Sequence, residues 1–104
     1  MSDQSSDPIV EQFRNQITDT DLAILEALNK RISTVRKLHA YKAEKGYDAV
    51  DPSREEWLTQ YLQRCNKGPL SNEEVAILWR SIIDATLREV ARLRDRLDHL
   101  EGRG

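Results

Sequence analysis

The chain has 104 residues, which is the length of a single domain. Its net charge is −2, so it lacks the strong basic excess that is typical of proteins that bind nucleic acid. Hydrophobic residues make up only 38% of the chain, and no apolar run approaches the ~20 residues that span a membrane. Because residues 1–7 are polar, acidic and rich in serine, with no signal-peptide pattern, we expect a cytoplasmic protein.

The first predicted element is a long helix over residues 8–45. Its apolar residues recur at steps of three, four and seven, which places them on one helical face. These residues are Val10, Phe13, Ile17, Ile24, Leu28, Ile32, Val35 and Leu38. Pro8 suits the first turn and Gly46 suits the stop. Such a helix is roughly 55 Å long, at about 1.5 Å per residue. A compact monomer of this size cannot cover it, so the length predicts a dimer.

A second, short helix is predicted after a loop over residues 46–50. Asp51 is a typical N-cap, and Pro52 suits the first helical position. The apolar face of this helix carries Trp57, Leu58, Tyr61, Leu62 and Cys65. The helix stops where Gly68 can adopt a left-handed conformation and Pro69 blocks continuation. Cys65 is the only cysteine, so no intramolecular disulfide can form, and we expect its thiol to be buried.

A third helix is predicted from the capping box that begins at Ser71 and ends at Glu74. Its apolar stripe consists of Val75, Leu78, Ile82, Thr86, Val90, Leu93, Leu97 and Leu100. The sequence therefore predicts an all-α fold of three helices: long, short and long. The expected organisation is a disordered tail over residues 1–7, one helical domain over residues 8–101 and a frayed end over residues 102–104.

Three cations of the first helix are candidate ligands for an anion. Arg31 and Lys42 are 11 residues apart, which is about three turns plus 20°, so they share a face about 16 Å apart. They bracket an apolar patch that a small anion would fit, although solvated surface charges would show the same spacing. Arg14 precedes Arg31 by 17 residues, or about 25 Å. A pocket that uses all three cations must therefore be built from two subunits.

Two further positions can be interpreted either as structural or as functional. Arg54 and Glu55 begin the second helix, where the helix N-terminus favours an anion and a carboxylate can accept a hydrogen bond from a ligand hydroxyl. They are equally compatible with a solvated helix start, and Asp51 with a simple cap. Thr86 lies in the apolar seam of the third helix. Its hydroxyl can bond back to a carbonyl of its own helix or face a ligand.

Together these positions resemble the all-helical (AroQ-type) chorismate mutases. The strings that carry the resemblance are FRNQI at 13–17, KAEKG at 42–46, DPSREE at 51–56, GPLS at 68–71 and II at 82–83. The similarity extends roughly from Val10 to Val90. It implies three helices per subunit, intertwined as a homodimer with two shared active sites. It also implies conversion of chorismate to prephenate, an intramolecular Claisen rearrangement that needs no cofactor and no metal.

The resemblance assigns catalytic roles to Arg31, Lys42 and Glu55. Arg31 and the partner subunit's Arg14 would each grip one substrate carboxylate, since arginine binds carboxylates through a planar fork. Lys42 would donate to the ether oxygen, where negative charge grows as the C–O bond breaks. Glu55, with Asp51 nearby, would hold the ring hydroxyl.

Two other positions complete the substrate-binding set that the resemblance implies. Arg54 would support a carboxylate or the local ion network. Thr86 stands where the family commonly has a serine that contacts a carboxylate.

The sequence departs from the family at two positions. Val90 stands where many members have a glutamine or glutamate at the ether oxygen, and a valine cannot form that hydrogen bond. His39 stands where a small residue is usual, so it either intrudes on the pocket or packs beside it. Both departures put full activity and the substrate in question.

Four alternatives to a chorismate mutase remain open from the sequence. One is a mutase for 4-amino-4-deoxychorismate, in which an amine replaces the ring hydroxyl; Asp51 and Glu55 suit either group. Another is a weakly active subunit that a shikimate-pathway enzyme activates. An isochorismate pyruvate lyase shares the fold but is less compatible with the string at 51–56, and a helical interaction module would bind no ligand.

Overall fold

Three α-helices make up the computed structural model of the chain, which describes residues 6–100 except for the side chains of residues 98 and 99. The helices are α1 (Pro8–Lys45), α2 (Pro52–Cys65) and α3 (Asn72–Leu100). No strand occurs between residues 6 and 100, so the predicted all-α fold of a long, a short and a long helix is confirmed. The predicted tail and frayed end fall largely on residues 1–5 and 101–104, which lie outside the described residues.

Hydrogen bonds close both ends of α1. At the N-terminus, a carboxylate oxygen of Asp7 accepts a hydrogen bond from the backbone N–H of Ile9 at 2.9 Å, which makes Asp7 the N-cap. At the C-terminus, Gly46 has a φ of +72°, and the N–H of Tyr47 donates to the carbonyl of Lys42 at 2.9 Å. This is a Schellman motif, which favours glycine at the position of positive φ. The predicted stop at Gly46 is confirmed.

The caps predicted for α2 and α3 are also present. Asp51 accepts a hydrogen bond from the backbone N–H of Arg54 at 3.2 Å, and Pro52 occupies the first helical position. The hydroxyl of Ser71 accepts a hydrogen bond from the backbone N–H of Glu74 at 3.2 Å. Each cap satisfies an amide that has no partner within its own helix.

The connection between α2 and α3 is held by side-chain amides. Asn66 donates to the carbonyl of Leu70 at 2.6 Å, and Gln63 donates to the carbonyl of Asn72 at 2.9 Å. Gly68 adopts the predicted left-handed conformation, with a φ of +72°, and its N–H donates to Asn66 at 3.0 Å. These bonds hold the short linker, and α2 packs against α3.

The chain divides into two compact units, and α1 passes from the first to the second after Arg31. The first unit, over its described residues, is the N-terminal part of α1. The apolar face predicted there is present but uncovered within this unit, since the side chains of Phe13 and Ile17 are 59% and 60% exposed. The other large apolar residues exposed in this unit are Ile9, Leu22, Ile24 and Leu25.

The core of the second unit lies along α3. Val75, Ile83, Thr86 and Val90 are buried there, at spacings of eight, three and four residues that place them on one helical face. Cys65, which was predicted to be buried, is exposed. It is the last residue of α2, where the chain turns into the linker, so its side chain lies beyond the packed part of the helix. Across the described residues, no helix has an apolar stretch long enough to cross a bilayer.

Candidate active site

Lys42 occupies the last turn of α1, where the Schellman motif fixes its backbone. Its side chain is half-buried and reaches across the loop, and its Nζ donates to the carbonyl of Ala49 at 3.2 Å. An ammonium group has three N–H donors, so this bond orients the group and uses only one of them. The loop between α1 and α2 therefore holds a cation in a defined position, a contact that spacing along the helix did not predict.

Asp51 follows this loop as the N-cap of α2. Its carboxylate accepts hydrogen bonds from the hydroxyl of Ser53 at 2.6 Å and from the N–H of Arg54 at 3.2 Å. These two bonds, with a smaller contribution from the charge of Lys42, hold the pKa of Asp51 below its ordinary value. Asp51 is thus the cap that was predicted. Its carbonyl accepts the N–H of Glu55 at 3.1 Å, one turn into α2.

The carboxylate of Glu55 contacts α3. Its Oε1 accepts a hydrogen bond from Nη1 of Arg80 at 3.2 Å, and Arg80 also binds Asp84 through Nη2 at 2.7 Å. Sequence reasoning missed Arg80. The spacing of four residues between Arg80 and Asp84 indicates an ion pair on the surface of one helix, and nothing in it points to α2.

The guanidinium of Arg54 stacks on the ring of Trp57, with 4.1 Å between the guanidinium carbon and the ring centroid. Trp57 in turn stacks on Tyr61 at 4.9 Å between ring centroids. The face of the guanidinium is therefore occupied by an aromatic ring, while its N–H donors, which lie in the plane of the group, point outward from the stack. Arg54 lies at the start of α2 as predicted, but its partner is aromatic.

Thr86 and Val90 are buried on the core face of α3, at 3% and 6% exposure. The hydroxyl of Thr86 donates to the carbonyl of Ile82 at 2.7 Å. This is the bond to its own helix that the sequence allows, and a role of Thr86 in binding a ligand stays a prediction. Val90 lies one turn further on and presents only methyl groups.

His39 is half-buried one turn before Lys42 on α1. Partial burial lowers the pKa of its imidazole, and the positive charges of Lys42 and Arg94 lower it further. Of these two cations, Lys42 belongs to the same helix as His39 and Arg94 belongs to α3. His39 therefore favours its neutral form beside the candidate site.

Lys42, Asp51 and Glu55 all belong to the second unit, where Lys42 lies in the last turn of α1 and the other two lie at the start of α2. Arg14 and Arg31 belong to the first unit, in which Arg14 is exposed and Arg31 is half-buried. Their participation in the same site stays a prediction.

The family described as chorismate mutase type II matches residues 13–90 of this chain. Among curated proteins, the chain is similar to the bifunctional chorismate mutase/prephenate dehydratase of Pseudomonas aeruginosa, with 33% identity over 92 residues. That match covers 84% of this chain and 24% of the relative. The protein of the same name from Neisseria gonorrhoeae is 38% identical over 85 residues, which are 81% of this chain and 23% of the relative. The chain spans about a quarter of the length of these relatives.

Among solved structures, the chain is similar to the chorismate mutase (form II) from Thermus thermophilus. The two share a TM-score of 0.76 and 29% sequence identity. The match covers 80% of this chain and 94% of the Thermus chain. The matched range of the family includes Lys42, Asp51 and Glu55, as well as Arg14, Arg31, Arg54 and Thr86.

Proposed function

Because the chain belongs to the chorismate mutase type II family, we propose that it catalyses the rearrangement of chorismate to prephenate. The reaction is an isomerisation within one molecule, in which a C–O bond breaks and a C–C bond forms. It needs a site that holds a compact, chair-like conformer and stabilises charge on the ether oxygen. Such a site acts by positioning the substrate and by stabilising the charge that develops in the transition state. No group of the protein becomes covalently bound to the substrate.

The observation that carries this proposal is the hydrogen bond from Lys42 to the carbonyl of Ala49, which holds an ammonium group at the end of α1, next to the loop that leads to Asp51 and Glu55. The bond to Ala49 leaves two N–H donors on Lys42 for the substrate. Directed at the ether oxygen, these donors bind more strongly as negative charge develops, which lowers the barrier and not merely KM. Glu55 and Asp51 supply acceptors for the ring hydroxyl. These three residues thus offer the donor and the acceptors that the substrate requires.

The remaining residues of the site bind carboxylates. Arg31 and the Arg14 of a second chain each grip one carboxylate through a planar fork. Arg54 contributes N–H donors from the edge of its guanidinium, which stacking on Trp57 leaves accessible and holds in one plane. Thr86 contributes a hydroxyl by exchanging its bond to the carbonyl of Ile82 for one to a carboxylate. Fixing both carboxylates selects the reactive conformer before the reaction begins.

We propose that the active form is an intertwined homodimer. An isolated helix gains little stability in water, and an apolar face as exposed as that of Phe13 and Ile17 marks an interface. Arg14 and Arg31 are 17 residues apart on α1, about 25 Å, so one chain cannot place both on the same small substrate. A second chain that packs along α1 would cover the apolar face and would supply the Arg14 that the site needs.

The bifunctional relatives join a chorismate mutase to a prephenate dehydratase. This supports the proposal that the chain acts in the biosynthesis of aromatic amino acids in the cytoplasm, and that a shikimate-pathway enzyme is its partner.

The proposal is tested by the loss of chorismate in the presence of the purified chain, without added metal or cofactor. A rigid bicyclic dicarboxylate that mimics the chair-like transition state should inhibit competitively and bind more tightly than chorismate, because the site is complementary to that shape. Accelerated loss of chorismate that the bicyclic compound does not inhibit would contradict the proposed site. No acceleration would contradict the proposed function.

Substitution of Val90 by glutamine should raise kcat on chorismate. Val90→Gln adds a donor near the ether oxygen, so kcat on chorismate should rise about tenfold if the new bond contributes about 1.4 kcal/mol. The side chain is buried, so overpacking would offset part of this gain. Val90→Met, which has a similar length and no donor, controls for added volume.

The measurement compares kcat of the wild type and of both variants, with and without shikimate-pathway enzymes. A wild type that such an enzyme accelerates, and that glutamine does not improve, would assign the missing stabilisation to the partner. Equal rates for the glutamine and methionine variants would show that position 90 does not reach the ether oxygen.

A further inference from the structure

We infer that Arg80 is a positioning residue that determines specificity at the ring substituent: it holds Glu55 and offsets its charge, so the site prefers a neutral hydroxyl to an ammonium. The inference rests on the proposed function, in which Glu55 binds that substituent. Chorismate carries a hydroxyl at this place, and 4-amino-4-deoxychorismate carries an amine that is protonated at neutral pH. The two substrates otherwise offer the same dicarboxylate and the same ether, so the choice between them depends on the groups around Glu55.

Arg80 binds one carboxylate oxygen of Glu55 and leaves the other oxygen available to a ligand. Oδ1 of Asp84 accepts two hydrogen bonds from Arg80, at 3.1 Å from Nε and 2.7 Å from Nη2, and these two bonds orient the guanidinium. Nη1 then reaches Oε1 of Glu55 at 3.2 Å. Within the described residues, Oε2 of Glu55 accepts no hydrogen bond. A ligand hydroxyl can donate to it without displacing a protein contact.

The backbone around Glu55 supports the same orientation. Its N–H donates to the carbonyl of Asp51 at 3.1 Å, and its carbonyl accepts the hydroxyl of Thr59 at 3.2 Å. The side chain of Glu55 is 21% exposed, so it cannot turn freely into solvent. The backbone of Glu55 is therefore already fixed. Arg80 determines the direction of the Glu55 side chain and offsets its charge.

Arg80 weakens the attraction of Glu55 for a cationic ligand. The charges of Glu55, Arg80 and Asp84 sum to −1, so Arg80 offsets one of the two carboxylates that it contacts. An ammonium bound to Oε2 of Glu55 would lie close to the guanidinium and be repelled by it, whereas a hydroxyl carries no charge. Replacing Arg80 by a neutral residue changes the sum to −2 and removes that repulsion.

The experiment measures kcat/KM for both substrates with the wild type, Arg80→Gln and Arg80→Lys. We expect Arg80→Gln to shift the ratio of kcat/KM values about fivefold towards the amine, which corresponds to about 1 kcal/mol and suits a pair with an exposed arginine. The loss on chorismate should fall mainly on KM, because the ring hydroxyl does not react. Arg80→Lys keeps the charge and should restore most of the preference.

Arg92→Gln is the matched control. Arg92 is 57% exposed, close to the 53% of Arg80, and it also pairs with an acid on its own helix, Glu89, but it forms no ion pair with α2 among the described residues. Its substitution should leave the ratio unchanged. A purely structural role for Arg80 would lower the melting temperature and both kcat/KM values together, without a change in their ratio.

An unchanged ratio in Arg80→Gln would overturn the inference and leave the proposed function intact. A ratio that shifts equally in Arg80→Gln and Arg80→Lys would also overturn it, since charge would then play no part. A wild type that rearranges neither substrate would overturn the proposed function, and the inference with it.

Discussion

Replacing Lys42 by alanine should lower kcat on chorismate at least 100-fold while the protein remains folded. The ammonium is directed at an oxygen that gains charge only as the ether bond breaks, so its contribution is greatest in the transition state. Removal of one such donor typically costs about 3–4 kcal/mol of transition-state stabilisation. Because Lys42 is also bonded to Ala49, its loss frees a carbonyl that the exposed loop can present to water, which limits the cost in stability.

Lys45→Ala provides the matched control for this variant. Lys45 lies in the same last turn of α1, and its ammonium lies 5.7 Å from the ring centroid of Tyr41. Its removal changes the net charge equally and should leave kcat within about twofold, since exposed cation–π contacts contribute little. The measurement is steady-state kinetics with circular dichroism on each variant. A change confined to KM in Lys42→Ala would mean that Lys42 binds the ground state only.

Mixing Arg14→Ala with Arg31→Ala should restore activity that neither variant has alone. Each substitution removes one carboxylate grip from every site of its own homodimer, and we expect each to lower kcat/KM at least 100-fold. In a mixed dimer, one site has both intact arginines and the other has neither. After random exchange in equal amounts, about a quarter of the wild-type activity should return, because half of the dimers are mixed and one of their two sites is intact.

The control is a mixture of Arg14→Ala with the doubly substituted chain. Its mixed dimers contain no complete site, so exchange should restore nothing. Native mass spectrometry of chains that differ in mass demonstrates that exchange has occurred. If Arg14→Ala and Arg31→Ala exchange fully without recovery, the two arginines do not meet across the dimer in the proposed way.

The helices could be predicted closely from the sequence because their ends carry strong local signals. Pro8, Gly46 and Ser71 act through caps and through φ preferences that involve only a few neighbouring residues. Periodicity also identified α3 as a helix with a continuous apolar stripe, and the buried residues Val75, Thr86 and Val90 belong to that stripe. These features depend on local sequence, which is why they were visible without a structure.

Contacts between different helices and loops could not be predicted from local sequence. Arg80 meets Glu55 only because α2 folds back on α3, and the stacking of Arg54 on Trp57 depends on the side-chain conformations that α2 allows. Lys42 was assigned from a resemblance to the family, yet its bond to Ala49 depends on the conformation of the loop. The exposure of Cys65 has a related origin, because periodicity extended the apolar face to a residue at which the helix ends.

The identity of the product tests the central claim most directly. Purified wild-type protein is incubated with chorismate alone, and the reaction is followed by proton NMR until the chorismate is consumed. We predict prephenate as the first and only enzymatic product, formed much faster than in buffer. Chorismate that disappears no faster than in buffer, or that yields pyruvate and an aromatic acid in place of prephenate, would contradict it.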